Sequence, residues 1–450
     1  MKIKLLLLSV LVITSMILVA ACAPAPATEK PATAAATEAP SVTEAPGTTA
    51  PSTEAPGGEK TVTVWGFVWT ADWLDAIAPG FEAQHPGVKV KVERFEYDPY
   101  QEMVLTTLAS GQGVPDVVTL DPMWAGDLIR GGTVLPLDKA TTELNVDDFV
   151  PAGWNLYAWK GVQYGIPLDL DFQLVFYRKD VYDKAMATLG MTEFPTTIDD
   201  YRKLATEVTK ETGKPALLLS QGDYYSWYQS FLAPMGGNLI NDEGTQYIFN
   251  DEKSVEALQL YSDLANVDKT AKLWSGDVDG DPMVALKGGD AMAILNGSWF
   301  ATEIASGAPE MKGQWAMAPV PFGPEGRSND AATGGACLSI PTQAKEPELA
   351  WEFIKYSMTP ENQAKYFQIV SGVPSLKTSW TDPALDEVNE FFGVPIGRSV
   401  ADWSLRAAPM QLPSLEVADL IGEAITKATT GEATPKEALD EAVNSAPPLE

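Results

Sequence analysis

The sequence predicts an α/β protein in which mostly parallel β-sheets are flanked by helices. Runs typical of strands alternate with amphipathic runs typical of helices between residues 61 and 120. Parallel strands need a crossover connection, which a helix supplies, so this alternation favours parallel pairing. The length of 450 residues is enough for two or three domains, and the chain shows no internal repeat of fixed period.

The first elements of the folded part follow one another closely. A run rich in β-branched residues and a second run of strict apolar–polar alternation both predict strands. Apolar residues at helical spacing predict the helix between them, which Pro86-Gly87 ends. In chain order the sequence predicts a strand over 61–65, a helix over 74–84, a strand over 88–92, a helix over 100–109 and a buried strand over 115–120.

The rest of the chain continues with the same two patterns and behaves as a second unit. Apolar, extended runs predict strands over 170–177, 291–295 and 315–321. Runs with their apolar residues on one face predict helices. These helices are expected over 199–211, 251–266, 346–358 and 415–430.

The charge balance excludes several function classes. Asp and Glu number 61 against 31 Lys and Arg, giving a net charge of −30 without any basic run, so nucleic-acid binding is not expected. His85 is the one histidine, which nearly excludes histidine-based metal sites and Ser–His or Cys–His catalysis. The run 277–281 resembles a calcium loop, but Pro282 and Gly288 stand where an EF-hand needs Gly and Glu. The sequence therefore predicts neither a metal nor a cofactor.

The N-terminus predicts export and a lipid anchor. Residues 1–21 begin with Lys2 and Lys4, continue as an apolar run and end in small residues before Cys22, the pattern of a signal peptide. The apolar run is shorter than the roughly 20 residues that a membrane span needs. Residues 19–22 resemble the lipobox of bacterial lipoproteins, which implies cleavage before Cys22 and lipidation of its thiol, as by palmitate. The protein would then lie on the cell membrane, facing outside.

The segment 22–60 predicts a disordered tether. It consists almost wholly of Ala, Pro, Thr, Glu, Ser and Gly, with Val42 as the only larger aliphatic residue. Such a composition cannot bury enough apolar surface to offset the entropy lost on ordering. A tether of this kind suits a soluble domain held near a membrane.

A series of short motifs then runs in order through residues 61 to 445. The longest spans 288–299 and reads Gly-Gly-Asp-Ala-Met-Ala-Ile-Leu-Asn-Gly-Ser-Trp. The others are Trp65 with Phe81-Glu82 and 86–90, 109–111 with 115–118, 164–167 with 176–180, Gly334-Gly335, the helix from Glu346, and Gly431 with 437–439. Together they are similar to the family 1 extracellular solute-binding proteins of ABC importers, the class that includes maltose-binding protein.

The resemblance implies a two-lobe fold of the periplasmic-binding-protein type, with a ligand cleft between the lobes and a hinge of crossing segments. Each lobe would be a mostly parallel sheet flanked by helices. Lobe one would comprise 61–167 plus 337–379, and lobe two 168–335 plus 380–450. The implied activity is binding and not catalysis: a monomer binds a carbohydrate or sugar-like solute and delivers it to the permease subunits of an ABC importer.

A sugar site requires aromatic planes for C–H faces and carboxylates or amides for hydroxyls. Trp69 and Thr70 follow the first strand, and the resemblance implies that this turn contacts the sugar. Alternatively, Trp69 packs on Trp73. Asp121 and Trp124 follow the strand 115–120 at its carboxyl end, the usual ligand position in open sheets. Asp121 is also a plausible helix N-cap, because a proline follows it.

Two further candidate groups lie in the middle of the chain. Asp169 and Asp171 lie in the extended segment expected to cross between the lobes, where an acid is costly unless it is paired or faces the ligand. The resemblance places Asp171 at an acidic sugar contact. Tyr224 and Trp227 belong to an aromatic cluster, and the resemblance matches Tyr224 to a ring-stacking position. Both aromatic residues are equally compatible with a core position.

Trp299 is the strongest candidate, because members of the family stack this Trp on the ligand. Gly335, after Gly334, lets the backbone approach a ligand closely, or else simply forms part of the hinge. Arg398 and Trp403 lie in a polar and aromatic stretch and are expected at the edge of the cleft. Ala418-Asp419 stands where maltose-binding protein has an aromatic contact, so the resemblance does not extend to maltodextrin as the ligand.

Other functions stay open at this point. A receptor for a polyol, glycerol phosphate or a polyamine is compatible with the same fold. An extracellular glycoside hydrolase would need two carboxyl groups about 5–10 Å apart across the scissile bond. No pair of carboxylates in the sequence has a supporting motif for that role.

Overall fold

The computed structural model of the protein describes residues 59–171, 173–323, 332–409 and 411–449. All of them belong to the unit Gly57–Glu450. The predicted signal peptide, Cys22 and the predicted tether as far as residue 58 lie outside the described residues. Within the described ranges, no helix is long and apolar enough to cross a bilayer.

The strands are labelled in chain order. They are β1 Lys60–Phe67, β2 Val88–Phe95, β3 Val117–Leu120, β4 Ala158–Trp159, β5 Val162–Gln163, β6 Ile166–Pro167, β7 Asp169–Leu170, β8 Gln173–Arg178, β9 Leu217–Ser220, β10 Ala271–Trp274, β11 Ala293–Gly297, β12 Trp315–Pro319, β13 Ala332–Thr333, β14 Cys337–Ser339, β15 Val373–Pro374 and β16 Ala408–Pro409.

The helices are labelled in the same way. They are α1 Val68–Gln84, α2 Tyr97–Ser110, α3 Pro122–Arg130, α4 Ala140–Glu143, α5 Pro151–Leu156, α6 Lys179–Leu189, α7 Ile198–Thr212, α8 Tyr224–Trp227, α9 Glu252–Asn266, α10 Gly276–Asp279, α11 Pro282–Gly288, α12 Phe300–Gly307, α13 Pro347–Ser357, α14 Pro360–Val370, α15 Ile396–Ser404, α16 Leu415–Thr430 and α17 Pro435–Ser445.

The alternation predicted for residues 61–120 is confirmed, since β1, α1, β2, α2 and β3 occur in that order. Two details of the prediction are wrong. The turn expected at Trp69 and Thr70 is already the first turn of α1. The strand expected over 170–177 is divided, because β7 pairs with β15 while β8 joins a different sheet. Local hydrophobicity does not reveal that break, since Leu170 of β7 and nearly all of β8 are buried alike.

Two five-stranded sheets form the framework, with the orders β2-β1-β3-β14-β6 and β10-β9-β11-β8-β12. In the first, β1 pairs in parallel with β2 and β3, and β14 is antiparallel to β3 and β6. In the second, β9 is parallel to β10 and β11, and β8 is antiparallel to β11 and β12. In each sheet one strand of the five therefore opposes the rest, which agrees with the predicted mostly parallel character.

The opposing strand of each sheet is the one that enters from the other sheet. β8 follows β6 of the first sheet, and β14 comes after β12 of the second. A chain that leaves one sheet at its carboxyl edge reaches the facing carboxyl edge of the other sheet. The incoming strand starts at that edge, so it must run against its neighbours. The topology thus places both crossings beside the edges where ligands bind in open sheets.

Three chain segments lie side by side where the sheets connect. β7 pairs antiparallel with β15, and Asp171 pairs with Gly334 on the opposite side. Leu168 N also donates to Ala336 O at 2.8 Å. We call this arrangement the hinge ribbon; it comprises 168–171 in the middle, 334–336 on one side and 373–375 on the other. The predicted bounds of the two lobes stay a prediction.

Large aromatic side chains fill the layers between sheets and helices. Trp73, Trp124, Trp227 and Trp315 are fully buried. Burial of apolar area is the dominant favourable term in folding, so these residues act as structural anchors. Trp69 and Trp299, by contrast, are 42% and 53% exposed. The exposure of these two rings requires a different explanation.

Candidate ligand-binding site

Three carboxylates meet where the two sheets connect. Asp121 ends the strand β3, while Asp169 and Asp171 lie in the hinge ribbon. Burial raises the pKa of Asp169 to about 7, and the neighbouring charges of Asp171 and Asp121 add to the rise. Such mutual effects require the groups to lie within electrostatic reach of one another. The structure therefore brings together the three acidic residues that the sequence indicated.

Asp121 is confirmed as the N-cap of α3, while its contact with a ligand stays a prediction. Its side chain accepts a hydrogen bond from Met123 N at 2.8 Å and so caps α3. Burial raises the pKa of Asp121 to about 6, with a smaller contribution from Asp171, while bonds from Met123 N and the Tyr97 hydroxyl lower it. Because an N-cap uses only part of a carboxylate's accepting capacity, Asp121 retains lone pairs for a ligand.

Asp171 fixes the turn that precedes Trp299. Its Oδ1 accepts hydrogen bonds from Ser298 N at 3.0 Å and from Ser298 Oγ at 2.7 Å. The turn follows β11 and leads into α12, whose Phe300 meets the Trp299 ring edge-on at 5.7 Å. The acidic hinge residue thus positions the aromatic one, although they lie more than 120 positions apart in the sequence.

Gly297 allows the indole of Trp299 to lie against the end of β11. A Cβ atom at Gly297 would stand 2.7 Å from Trp299 Cδ1, with Trp299 Nε1 closer still, and 3.2 Å from Asp171 Oδ1. Any side chain there would displace the indole. The glycine in this position is therefore a requirement of the Trp299 conformation.

An aromatic group built on α1 and α2 accompanies Asp121. Trp69 stacks on Tyr97 with ring centroids 5.6 Å apart and lies 4.8 Å from the Phe67 ring. Tyr97 also contacts the buried Trp124 ring at 5.3 Å. The suggested packing of Trp69 on Trp73 is wrong, because Trp73 points inward and donates to Asn362 O. Trp69 therefore presents an exposed, braced ring.

Several predicted contacts are buried in this structure. Thr70 is fully buried and its hydroxyl donates to Phe67 O at 2.9 Å, closing the first turn of α1. Trp124 and Trp227 are fully buried as well, each without a described hydrogen-bond partner for Nε1. Their burial argues against the direct ligand contact that the sequence predicts. Thr70, Trp124 and Trp227 therefore have packing roles in this structure.

Tyr224 lies at the wall of an open groove of about 700 Å³. The groove runs between Met123 at the start of α3 and the helix α16, and Ala418 and Asp419 of α16 line it. The Tyr224 side chain is 5% exposed, and its hydroxyl has no partner among the described residues. Ala418 and Asp419 thus face open space.

Gly335 is required by the hinge, which is the second of the two roles that the sequence suggested for it. Its φ of 110° lies in the region that favours glycine, and a Cβ atom there would lie 2.8 Å from the carbonyl carbon of Asp169. The close approach is therefore to the neighbouring segment of the hinge ribbon. The expectation that this glycine lets the backbone approach a ligand is not supported by these contacts.

The contacts of Arg398 and Trp403 do not place them beside Asp121, Asp169 or Asp171. The Arg398 guanidinium donates to both oxygens of Asp386, at 2.7 and 3.2 Å, and to Trp380 O at 2.8 Å. Trp403 is half-buried against the apolar cluster of the second sheet. Both residues therefore have structural roles in α15, and a cleft-edge position stays a prediction.

Sequence reasoning missed Tyr97, Tyr225 and Ser298. Tyr97 braces Trp69, and it begins α2 directly after β2, so the rule on the carboxyl ends of strands could have found it. Tyr225 lies against Gly334, since a Cβ atom there would be 3.1 Å from its Cζ, and the charges of Asp171 and Asp121 contribute to the raised pKa of its phenol. Ser298 has no signal beyond its place before Trp299.

The described residues contain no group of His, Cys, Asp or Glu arranged to hold a metal ion. Cys337 is fully buried in β14, and burial raises the pKa of its thiol to about 12, so it is not a nucleophile at neutral pH. The chemistry of the site is that of hydrogen bonding and ring stacking. Exposed aromatic faces beside carboxylates are typical of polyhydroxylated ligands.

Comparison with known proteins places the chain among binding proteins. The sequence profile of the family described as bacterial extracellular solute-binding protein matches residues 68–364. An arabinooligosaccharide-binding protein of Bacillus subtilis is 27% identical over 403 residues, which cover 86% of this chain and 91% of that protein. A lactose-binding protein of Rhizobium radiobacter is 25% identical over 356 residues, covering 77% of this chain and 82% of that protein.

Solved structures show the same fold. The sugar-binding protein MalE of Xanthomonas citri has a TM-score of 0.73 at 23% identity, with 86% of this chain and 96% of that chain covered. The GacH receptor of Streptomyces glaucescens, solved unliganded and with acarbose, has a TM-score of 0.68 at 24% identity, covering 86% and 97%. The two-lobe fold of the periplasmic-binding-protein type, predicted from the sequence motifs, is confirmed.

Proposed function

Because the chain belongs to the family of bacterial extracellular solute-binding proteins, we propose that it is the receptor of an ABC importer for an oligosaccharide. The single observation that supports a sugar ligand is the pairing of exposed aromatic rings with carboxylates beside the hinge ribbon. Trp69 accompanies Asp121, and Trp299 accompanies Asp171. The relatives named for arabinooligosaccharides and lactose agree with this chemistry.

The rings and the carboxylates would have different roles in binding. Trp69 and Trp299 would stack on C–H faces of the sugar, while the free lone pairs of Asp121 accept bonds from hydroxyl groups. Both rings are held by protein contacts before the ligand arrives, Trp69 by Tyr97 and Trp299 by Gly297 and Phe300. Prior positioning lowers the entropy cost of binding, so it contributes directly to affinity.

The groove beside α16 supports an oligosaccharide over a single sugar. Its volume of about 700 Å³ adjoins Tyr224 and Met123, and Met123 follows Asp121 by two positions. Acidic side chains at the wall, such as Asp419 and Glu423, are suitable acceptors for further hydroxyl groups. A ligand of three or more sugar units would occupy both the aromatic site and this groove.

The glycoside hydrolase alternative receives little support from the carboxylates. Asp171 Oδ1 accepts two bonds from Ser298, and Asp169 uses one oxygen for Ala336 N and the other for the Tyr366 hydroxyl. These bonds give Asp169 and Asp171 positioning roles in the hinge ribbon and before Trp299. Receptors for a polyol, glycerol phosphate or a polyamine stay as alternatives that a binding assay separates.

Delivery to a permease would involve closure of the two lobes around the ligand and attachment of the receptor to the membrane. Ligand contacts with both lobes would favour a closed arrangement, which the permease recognises. Lipidation of Cys22 after signal cleavage would hold this monomeric receptor at the outer face of the cell membrane, with residues 23–60 as the tether. The family as a whole is extracellular, which agrees with export.

A binding panel tests the proposal. Isothermal titration with arabinotriose, maltotriose, lactose, sorbitol, glycerol 3-phosphate and spermidine should give binding by at least one oligosaccharide and none by the last three. Small-angle scattering should then show a smaller radius of gyration at saturating sugar. Binding of sorbitol, glycerol 3-phosphate or spermidine without any sugar would contradict the proposal, as would release of free sugar from an oligosaccharide.

A further inference from the structure

Asp169 contacts all three segments of the hinge ribbon at once. Its own segment pairs with the third segment through Pro374. Its Oδ1 accepts a hydrogen bond from Ala336 N, in the second segment, at 2.7 Å. Its Oδ2 accepts from the hydroxyl of Tyr366, in the helix α14 that leads to the third segment, at 3.0 Å. We call the last two bonds the Asp169 hinge contacts.

Two glycines press against the same residue. A Cβ atom at Gly335 would overlap the Asp169 carbonyl group and would stand 3.0 Å from Asp169 Oδ1. A Cβ atom at Gly372 would stand 2.7 Å from Asp169 Oδ2. The backbone at Gly335, and at Gly372 just before the third segment, therefore approaches Asp169 more closely than any other residue type would permit. The contacts of this carboxylate therefore depend on how the three segments lie relative to one another.

Asp169 and Asp171 have different hydrogen-bond partners. Asp171 points to Ser298 and the turn of Trp299, whereas both oxygens of Asp169 are engaged by the hinge itself. Tyr366 is fully buried, and its ring meets Trp73 edge-on at 5.1 Å, so its hydroxyl is directed from the core of the first sheet. Asp169 is thus held between the buried Tyr366 and the backbone of the second segment at Ala336.

We propose that Asp169 is a positioning residue of the hinge, whose bonds to Ala336 and Tyr366 favour the lobe arrangement in which the cleft is accessible. The arrangement described here leaves Trp69 and Trp299 42% and 53% exposed, so the Asp169 hinge contacts belong to an accessible cleft. A bond that exists in one arrangement and weakens in the other shifts the equilibrium toward the first. Asp169 therefore lowers ligand affinity without touching the ligand.

Tyr366→Phe is the sharpest test, because it removes one hydroxyl and keeps the buried ring. Loss of one net hydrogen bond corresponds to a shift of about 2- to 12-fold in the equilibrium between arrangements. We expect arabinotriose to bind about 2- to 12-fold more tightly by titration calorimetry. We also expect the unliganded variant to have a smaller radius of gyration than the unliganded wild-type protein.

Tyr182→Phe is the matched control. Tyr182 is fully buried, and its hydroxyl donates to Ala216 O at 2.8 Å, away from the hinge ribbon. Both variants should lose thermal stability, but only Tyr366→Phe should change affinity and radius of gyration. Asp169→Asn, which keeps the shape of the side chain, is the second variant if Tyr366→Phe does not fold.

The affinity measurement rests on the proposed function, because it uses a sugar, whereas the comparison of unliganded radii of gyration does not. The results therefore distinguish a failure of this inference from a failure of the proposed function. Unchanged or weakened affinity together with an unchanged radius of gyration, as for Tyr182→Phe, would assign Asp169 a purely structural role and overturn the inference. If the wild-type protein does not bind arabinotriose, the proposed ligand fails. The comparison of unliganded radii of gyration still decides the role of Asp169 in that case.

Discussion

Replacement of Trp299 by Ala is expected to weaken sugar binding with a limited effect on folding. A Trp side chain exposes up to about 250 Å², and Trp299 is 53% exposed, so about 130 Å² of its surface is available to a ligand. If a sugar face covers half of it, the lost contact is about 1.6 kcal/mol at about 25 cal/mol per Å². Affinity should therefore drop about 15-fold.

Folding should suffer less than for a core Trp. Truncation of a fully buried aromatic residue costs about 3–5 kcal/mol, and less than half of Trp299 is buried, so we expect about 2 kcal/mol or less. Titration calorimetry and urea unfolding on the same variant separate the two effects. Val267→Ala, at a site 67% exposed after α9, is the control for truncating an exposed apolar side chain. An unchanged affinity with a stability loss above about 3 kcal/mol would make Trp299 a core residue.

Three further predictions test neighbouring parts of the reasoning. Gly297→Ala should weaken sugar binding by displacing the Trp299 indole, with a thermal midpoint close to wild type; unaltered affinity would refute the close approach as a requirement. Cys22→Ala should abolish an acyl mass at the mature N-terminus in mass spectrometry, and a mature chain that begins elsewhere would refute the anchor. Burial raises the pKa of Asp121 to about 6, so the folded protein retains a proton that the unfolded chain loses near pH 4. Stability should therefore fall as pH rises from about 4 to about 6, and urea unfolding should show a smaller fall for Asp121→Asn than for Asp147→Asn.

Element type was predictable where a pattern was long and local. The alternation of 88–92 and the amphipathic run of 415–430 each depend on side chains a few positions apart, and both elements occur as β2 and α16. The division of 170–177 was not predictable, because β7 and β8 differ only in their distant partners, β15 in one case and β11 in the other. Pairing over such distances leaves no local signature.

The candidate site shows the same limit. Asp121, Asp171 and Trp299 follow from strand ends and from the family motifs. Thr70 and Trp227 were chosen for the right residue type in the right region, but their side chains turn inward and are fully buried. Chain position fixes the neighbourhood of a residue, whereas the direction of a side chain depends on which face of its helix packs on the sheet.

The sequence by itself determined the α/β class, the family and the acidic character, because periodicity, composition and ordered motifs are properties of the chain. It also predicted the aromatic and acidic residues of the candidate site. Only the tertiary structure decided what each acid does. Asp169 meets Ala336 and Tyr366, which lie 167 and 197 positions away, while Asp171 meets Ser298, 127 positions away. Side chains two positions apart on an extended segment point to the same face, so no local pattern states that these two aspartates meet different and distant partners.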